Sequence, residues 1–366
     1  MIKVLTIGTA TRDIVLRGDF FRIVHDPRHL RKAGFPTGEA QCFAVGLGGK
    51  VEISEPLLTL GGGAANAAIT FARQGFETEA LVKIGRDQNG EEVLRVLQKE
   101  GVKPIAIFDK NAGTAYSVIL ISPDGERTIL NYRGASRDLM FPEIPKREFA
   151  ANVVYLVPGA IQVSVVADIA RKLRKKGAII AMNPSKHYIE LGLKKLKPIF
   201  DNLDIIILNR EEGAYLTGVG YKNERGIFNK FDELVGGLAV MTDGHNGVMV
   251  SDGKNIYRAG IYNEKRIADR TGAGDSFGSG FVAGLLNKPK VSARGGSAFG
   301  GKSQKSKLRG KIQNFNKEDI VYAIKLGSAN ATSNVEEIGA QSGILTKKEF
   351  ETQARWKKLN VKIEKI

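Results

Sequence analysis

Short, continuous apolar runs recur along the chain at Val4–Gly8, Ala80–Ile84, Val153–Val157, Ala178–Met182, Asp204–Leu208 and Leu238–Met241. Each is too short to be a buried helix and rich in β-branched residues, as strands covered on both faces are. Helix-patterned segments lie between the later runs. In residues 163–176, Val166, Ile169, Ala170 and Leu173 share one face. Buried strands alternating with amphipathic helices predict βαβ units and an α/β fold around a mostly parallel sheet.

Two segments break this rhythm. Residues 17–60 and 113–132 alternate apolar and polar positions between turn signals. Pro123-Asp124-Gly125 has the chemistry of a tight turn, so 113–132 reads as a hairpin. Together these segments predict a small sheet projecting from the core. No internal repeat is evident.

Composition narrows the class. The 366 residues carry 55 Lys and Arg against 39 Asp and Glu, a net charge of +16, with 42% apolar residues. That apolar content fills a sizeable core and excludes global disorder. A single cysteine, Cys42, excludes an intramolecular disulfide framework and paired-cysteine zinc sites. No stretch reaches the roughly 20 apolar residues of a membrane span, and the start lacks a secretory pattern, so the expected location is cytoplasmic.

Half the net charge sits in residues 288–316, which hold eight basic residues and no acidic one. Rich in Gly and Ser and without periodicity, this stretch reads as a flexible basic insertion. A nucleic-acid-binding role for it is the alternative function, disfavoured because only Phe299 and Phe315 could stack on bases. Gly296–Ser303 also satisfies the P-loop expression. It lacks the preceding strand and following helix that the motif needs, and is rejected as a nucleotide site.

Four segments carry chemistry. In DRTGAGDSFGSGFVAGLL (269–286), Gly272, Ala273 and Gly274 form a turn that brings backbone N–H groups close to a ligand, and Asp275 opens a helix. Such a terminus stabilises developing phosphoryl charge, and a carboxylate there can accept a hydroxyl proton. A plain helix cap would also favour Asp at this position. GGGAANAAITFARQG (61–75) is a second glycine turn, with Asn66 offering both donor and acceptor to hydroxyls. Asn209-Arg210-Glu211-Glu212 follows the strand at 204–208, at the strand end where open α/β sheets bind ligands. Thr242–Gly247 is a further glycine-rich turn.

These motifs, in this order, resemble the ribokinase-like, or phosphofructokinase B (pfkB), family of carbohydrate and nucleoside kinases, and the resemblance spans nearly the whole chain. It implies a doubly wound, three-layer α/β/α core with a small β-sheet lid, formed by one domain over 1–366. It also implies ATP and Mg²⁺, and phosphorylation of a hydroxymethyl group on a sugar or nucleoside. By matching positions, it makes Asp275 the base and Gly272, Ala273 and Gly274 the anion hole. Asp13, Gly62, Gly63 and Asn66 become substrate ligands. Asn209, Thr242, Gly244 and Gly247 serve the nucleotide, with Ser328 or Asn330 meeting adenine. Glu212 organises Mg²⁺ through water, and Asp269 and Thr271 fall at a K⁺ site used by some members. The partner is a small molecule, with no membrane, and a homodimer through the lid is compatible with the resemblance.

The sequence departs from the family pattern in three places, one of them the basic insertion 288–316 between the helix after Asp275 and the helix at 317–335. The lid segment is long and contains His25, His29 and Cys42, read as solvated rather than metal-ligating. Glu336–Ala340 replaces a stretch that is often basic, which weakens the K⁺ assignment. Arg12, Arg127 and Arg133 are available should the substrate itself be phosphorylated.

Overall fold

The computed structural model describes residues 2–17, 22–25, 41–44, 48, 50–121, 127–146, 149–287 and 315–366. Along the chain the strands are β1 (Lys3–Gly8), β2 (Thr11–Arg17), β3 (Arg22–His25), β4 (Gln41–Ala44), β5 (Leu57–Gly61), β6 (Glu77–Ile84), β7 (Lys103–Phe108), β8 (Tyr116–Ile121) and β9 (Arg127–Tyr132). There follow β10 (Val153–Val157), β11 (Ile179–Met182), β12 (Ile205–Asn209), β13 (Leu238–Thr242), β14 (Val248–Ser251), β15 (Asn255–Ala259) and β16 (Val361–Lys365). The helices are α1 (Gly63–Arg73), α2 (Gln88–Lys99), α3 (Val163–Lys175), α4 (Lys186–Phe200), α5 (Arg210–Thr217), α6 (Glu224–Leu234), α7 (Ala273–Leu286), α8 (Lys317–Val335) and α9 (Lys347–Thr352).

The large sheet has the order β16-β15-β14-β13-β12-β11-β10-β1-β6-β7. From β13 to β7 every pairing is parallel, and β14, β15 and β16 extend one edge antiparallel. Alternation along each strand sends side chains to two separate cores. Leu5, Ile7, Leu156, Ile206 and Met241 pack against α3 to α6 on one face. Val4, Tyr155, Ile207 and Val240 pack against α1, α7 and α8 on the other. This is the expected three-layer, mostly parallel arrangement. The six apolar runs all fall on its strands, with Ala178 and Asp204 one residue ahead of β11 and β12, whereas β7 and the antiparallel edge are additional. β7 carries a proline and is only partly buried, so its pattern is diluted.

Close approach of α7 and α8 depends on glycine. A methyl group on Gly284 would sit 2.6 Å from Cα of Ala323.

A second, four-stranded sheet runs β5-β2-β8-β9, and β3 pairs with β4 as a separate ribbon. The small sheet starts at Thr11, earlier than the 17–60 boundary read from the sequence. The alternation of TRDIVLR is masked there by the strand directly before it. β8 and β9 pair antiparallel from Tyr116↔Tyr132 to Ile121↔Arg127, as a hairpin requires; its turn at 123–125 lies outside the described residues. One face of the sheet, with Asp13, Val15, Ser117 and Ile119, is buried. The opposite face carries Leu58 and Leu130, exposed by 51% and 57%. His29 and nearly all of 288–316 also lie outside the described residues. No described helix is long and apolar enough to cross a membrane.

Candidate active site

Strand register brings the candidate residues to one edge of the large sheet. Gly8 at the end of β1 pairs with Val157 at the end of β10, and Asn209 at the end of β12 pairs with Thr242 at the end of β13. The segments leaving β1, β12 and β13 carry Asp13, Asn209–Glu212 and Thr242–Gly247.

Past β5 the chain turns at Gly62, whose φ of 89° is left-handed and whose missing methyl would fall 2.6 Å from the Thr9 carbonyl. The N–H groups that open α1 are already used: Ala64 and Ala65 donate to Thr9 O at 3.1 and 3.3 Å, and Gly63 to Thr9 Oγ1 at 3.2 Å. This terminus is therefore a packed turn rather than an anion site. Gly63 is required by proximity, since a methyl there would sit 2.2 Å from Cγ1 of Val157 and 3.2 Å from Oδ1 of Asp275. The turn sets Asn66, which donates from Nδ2 to Oδ2 of Asp275 at 3.0 Å.

The terminus of α7 is different. Gly272 caps it with φ 77°, the left-handed conformation that glycine tolerates. Ala273 N–H makes a long bond of 3.4 Å to Arg270 O, and Ser276 N–H donates to Gly272 O at 2.8 Å. The N–H groups of Gly274 and Asp275 have no acceptor among the described residues. Two free donors thus point out of a helix start whose dipole favours negative charge. Burial pushes the Asp275 carboxyl above the ordinary carboxylate range, opposed only by the Asn66 hydrogen bond. A carboxyl raised in this way is a stronger base once ionised.

Asp13, on the inward face of β2, is 5% exposed. Burial lifts its carboxyl to about 6 despite hydrogen bonds from Thr11 and Ser117, and the like charge of Asp269 adds to the effect. The Thr11 hydroxyl donates at 2.9 Å. Arg12 faces the other way and pairs with Glu92 at 3.4 Å, which removes it from the cations that could meet a substrate phosphate beside Asp13.

On the other side of α7, a cavity of about 300 Å³ runs between α7, α8 and the 242–247 turn. Thr242, Gly244, Gly247, Gly274 and Ser328 line it beside the apolar Phe277 and Ala331. Asn330 does not reach it. It is 1% exposed, its Nδ2 donates to Ser276 O at 2.8 Å, and its Oδ1 accepts from Leu345 N at 2.9 Å. Its amide fastens α8 to α7, so of the two adenine candidates Ser328 is the one in place. Gly247 is a close approach, since a methyl there would lie 2.1 Å from Ala259 O.

Asn209 and Glu212 form a reciprocal capping box at α5, with Asn209 Oδ1 accepting from Glu212 N at 2.8 Å and Glu212 Oε2 from Asn209 N at 2.9 Å. Burial pushes the Glu212 carboxyl up, with the Glu211 charge adding to it. A nearby cation would relieve that cost, so Glu212 suits a metal-side role. No cluster of three or more His, Cys, Asp or Glu able to hold a metal occurs among the described residues. Asp269 has little left to offer a cation: Oδ1 accepts from Thr271 N at 2.8 Å and Thr271 Oγ1 at 2.7 Å, and Oδ2 from Gly339 N at 3.1 Å.

A cluster that sequence reasoning missed joins the β12 and β13 ends. Arg210 Nη1 donates to Asp243 Oδ2 at 2.9 Å, and the Tyr221 hydroxyl to Asp243 Oδ1 at 2.7 Å. The guanidinium lies 4.3 Å from the Tyr221 ring centroid. The positions of Arg210 and Asp243, each one residue past a strand end, were the available signal.

With this geometry in view, comparison with known proteins places the chain. Residues 39–347 match the profile of the pfkB family carbohydrate kinases. Probable fructokinase-5 of Arabidopsis thaliana is 28% identical over 240 residues, covering 62% of this chain and 73% of that protein. Fructokinase-2 of Solanum lycopersicum is 28% identical over 243 residues, covering 62% and 72%. Among solved structures, ribokinase from Giardia lamblia superposes with a TM-score of 0.73 at 20% identity, over 96% of this chain and 98% of that one. Arabidopsis thaliana ribokinase complexed with ribose and ATP gives 0.71 at 18% identity, over 98% and 99%.

Proposed function

The chain belongs to the pfkB family of carbohydrate kinases, phosphotransferases with an alcohol group as acceptor, and from that premise we propose that it moves the γ-phosphate of ATP to a hydroxymethyl group of a free sugar. The observation that carries this reading is the α7 terminus. There Asp275, bonded to Asn66, stands beside the two free N–H groups of Gly274 and Asp275, and Gly274 lines the cavity with Thr242 and Gly247.

Asp13 accepts hydroxyls of the sugar and fixes its orientation. Asp275 takes the proton of the attacking hydroxyl, whose oxygen then bonds to the γ-phosphorus as the bond to the ADP oxygen breaks. The Gly274 and Asp275 N–H groups meet the charge that develops on the transferring group, and such fixed dipoles carry much of phosphoryl-transfer catalysis. The cavity takes the adenine, with Thr242, Gly244 and Gly247 along its phosphate side. Glu212 would hold Mg²⁺ through water, with Asn209 keeping Glu212 in place, and the metal would neutralise phosphate charge. The small sheet acts as the lid, closing over the sugar and excluding water, all within one domain. Its outward face with Leu58 and Leu130 is where we place a homodimer contact, which sedimentation of the purified chain tests.

Three donors already satisfy Asp269, so replacing KCl by choline chloride at constant ionic strength should change the rate less than about twofold.

D-fructose heads the acceptor panel because the curated relatives are fructokinases. ADP release should be measured with D-fructose, D-ribose, D-glucose and adenosine. Turnover with a sugar, absent without one, is expected. Turnover with adenosine alone would replace the sugar by a nucleoside, and none with any acceptor would refute the reading.

A further inference from the structure

Asn66 is held by a second amide from the far end of the chain. Gln341 Nε2 donates to Asn66 Oδ1 at 2.9 Å, while Asn66 Nδ2 donates to Asp275 Oδ2 at 3.0 Å. An ionised carboxylate only accepts hydrogen bonds. Asn66 must therefore turn its nitrogen to Asp275 and its oxygen away, and that oxygen needs a donor. Gln341 supplies it from a firmly anchored loop. Arg73 Nη1 donates to the carbonyls of Gln341 and Ile344 at 2.9 and 2.7 Å. Arg73 is itself held by Glu100 through Nε and Nη2, at 2.8 and 3.0 Å. Two residues before Gln341, Gly339 N–H is fixed to Asp269.

We propose that Gln341 is a positioning residue for phosphoryl transfer: it fixes the Asn66 amide so that Asn66 engages Oδ2 of Asp275 and leaves Oδ1 to receive the hydroxyl proton. Oδ1 is the oxygen on the Gly63 side, where a methyl group would come within 3.2 Å of it, and it accepts no hydrogen bond among the described residues. The inference rests on the reading of Asp275 as the base.

A positioning role differs from a packing role in its dependence on sign. Gln341→Met keeps the volume and removes the donor, so Asn66 is released. Gln341→Glu keeps the shape but presents only acceptors at neutral pH. Asn66 then turns its nitrogen to Glu and its oxygen to Asp275, setting two acceptors against each other. With ATP and D-fructose, kcat should fall about tenfold in Gln341→Met and about a hundredfold in Gln341→Glu, with KM for ATP within about twofold of wild type.

A second readout needs no turnover. In protein labelled with ¹⁵N at asparagine, the Asn66 side-chain amide protons should exchange faster in Gln341→Met than in wild type. Equal kcat losses in the two variants, or unchanged Asn66 exchange, would overturn the proposal. Wild-type protein that phosphorylates no sugar, or Asp275→Asn as active as wild type, refutes the reading of the base instead. The exchange measurement still decides whether Gln341 holds Asn66.

Discussion

Replacing Asp13 by asparagine should stabilise the protein while weakening its grip on the sugar. The Asp13 carboxyl is 5% exposed and lifted from 3.8 to about 6, first by burial and then by the Asp269 charge. A group whose folded pKa is raised costs nothing while both states are protonated. Between about pH 4 and 6 the unfolded chain ionises and the folded one does not, so stability is lost across that window and stays lost above it. The shift corresponds to about 3 kcal/mol at neutral pH. Asparagine removes the charge but accepts less well from Thr11 and Ser117, leaving a net gain of about 1–2 kcal/mol. Urea unfolding at pH 4 and pH 7.5 measures this directly: Asp13→Asn should be less stable than wild type by about 1 kcal/mol at pH 4, where only the lost hydrogen bonding counts, and more stable by about 1–2 kcal/mol at pH 7.5. In the same variant, losing charged hydrogen bonds to the sugar should raise KM for sugar about tenfold or more, with KM for ATP unchanged. Equal stability effects at the two pH values, or an unchanged KM for sugar, would refute the reasoning.

The acid limb of the kcat profile should lie above the ordinary carboxylate range. Asp275 works only when ionised and burial raises its pKa, so the rate falls as pH falls through that raised value. Asp243→Asn weakens the Arg210–Asp243–Tyr221 cluster behind the nucleotide turn and should raise KM for ATP about tenfold, with KM for sugar unaffected, by initial-rate measurement. Gly284→Val drives side-chain atoms into α8 at Ala323 and should cost at least about 1–3 kcal/mol in urea unfolding.

Much of this was legible before the structure. The apolar runs located strands of the sheet because buried parallel strands must be continuously apolar, and the two glycine-rich motifs located the terminus of α7 and the turn at Gly62. β7 and the small-sheet start at Thr11 were harder. The first is a partly buried edge strand containing proline, and the second follows β1 after only two residues. The sequence could not distinguish a terminus with free N–H groups from one already satisfied. Gly62 and Gly272 both look like turns open to a ligand in one dimension, yet Thr9 consumes the donors after Gly62 and nothing described consumes those of Gly274 and Asp275. Asn330 differs from the expectation for a related reason: position along the helix does not reveal that its amide is engaged in fastening α8 to α7. Gln341 carried no signal at all. Its partner lies 275 residues away, and only the fold brings them together.

Transfer of radiolabelled γ-phosphate from ATP to D-fructose by wild type and by Asp275→Asn tests the central claim most directly. The account predicts a sugar phosphate from wild type and a rate about 10²–10⁴-fold lower from the variant, with ATP binding retained. An Asp275→Asn enzyme that transfers phosphate at the wild-type rate would contradict it.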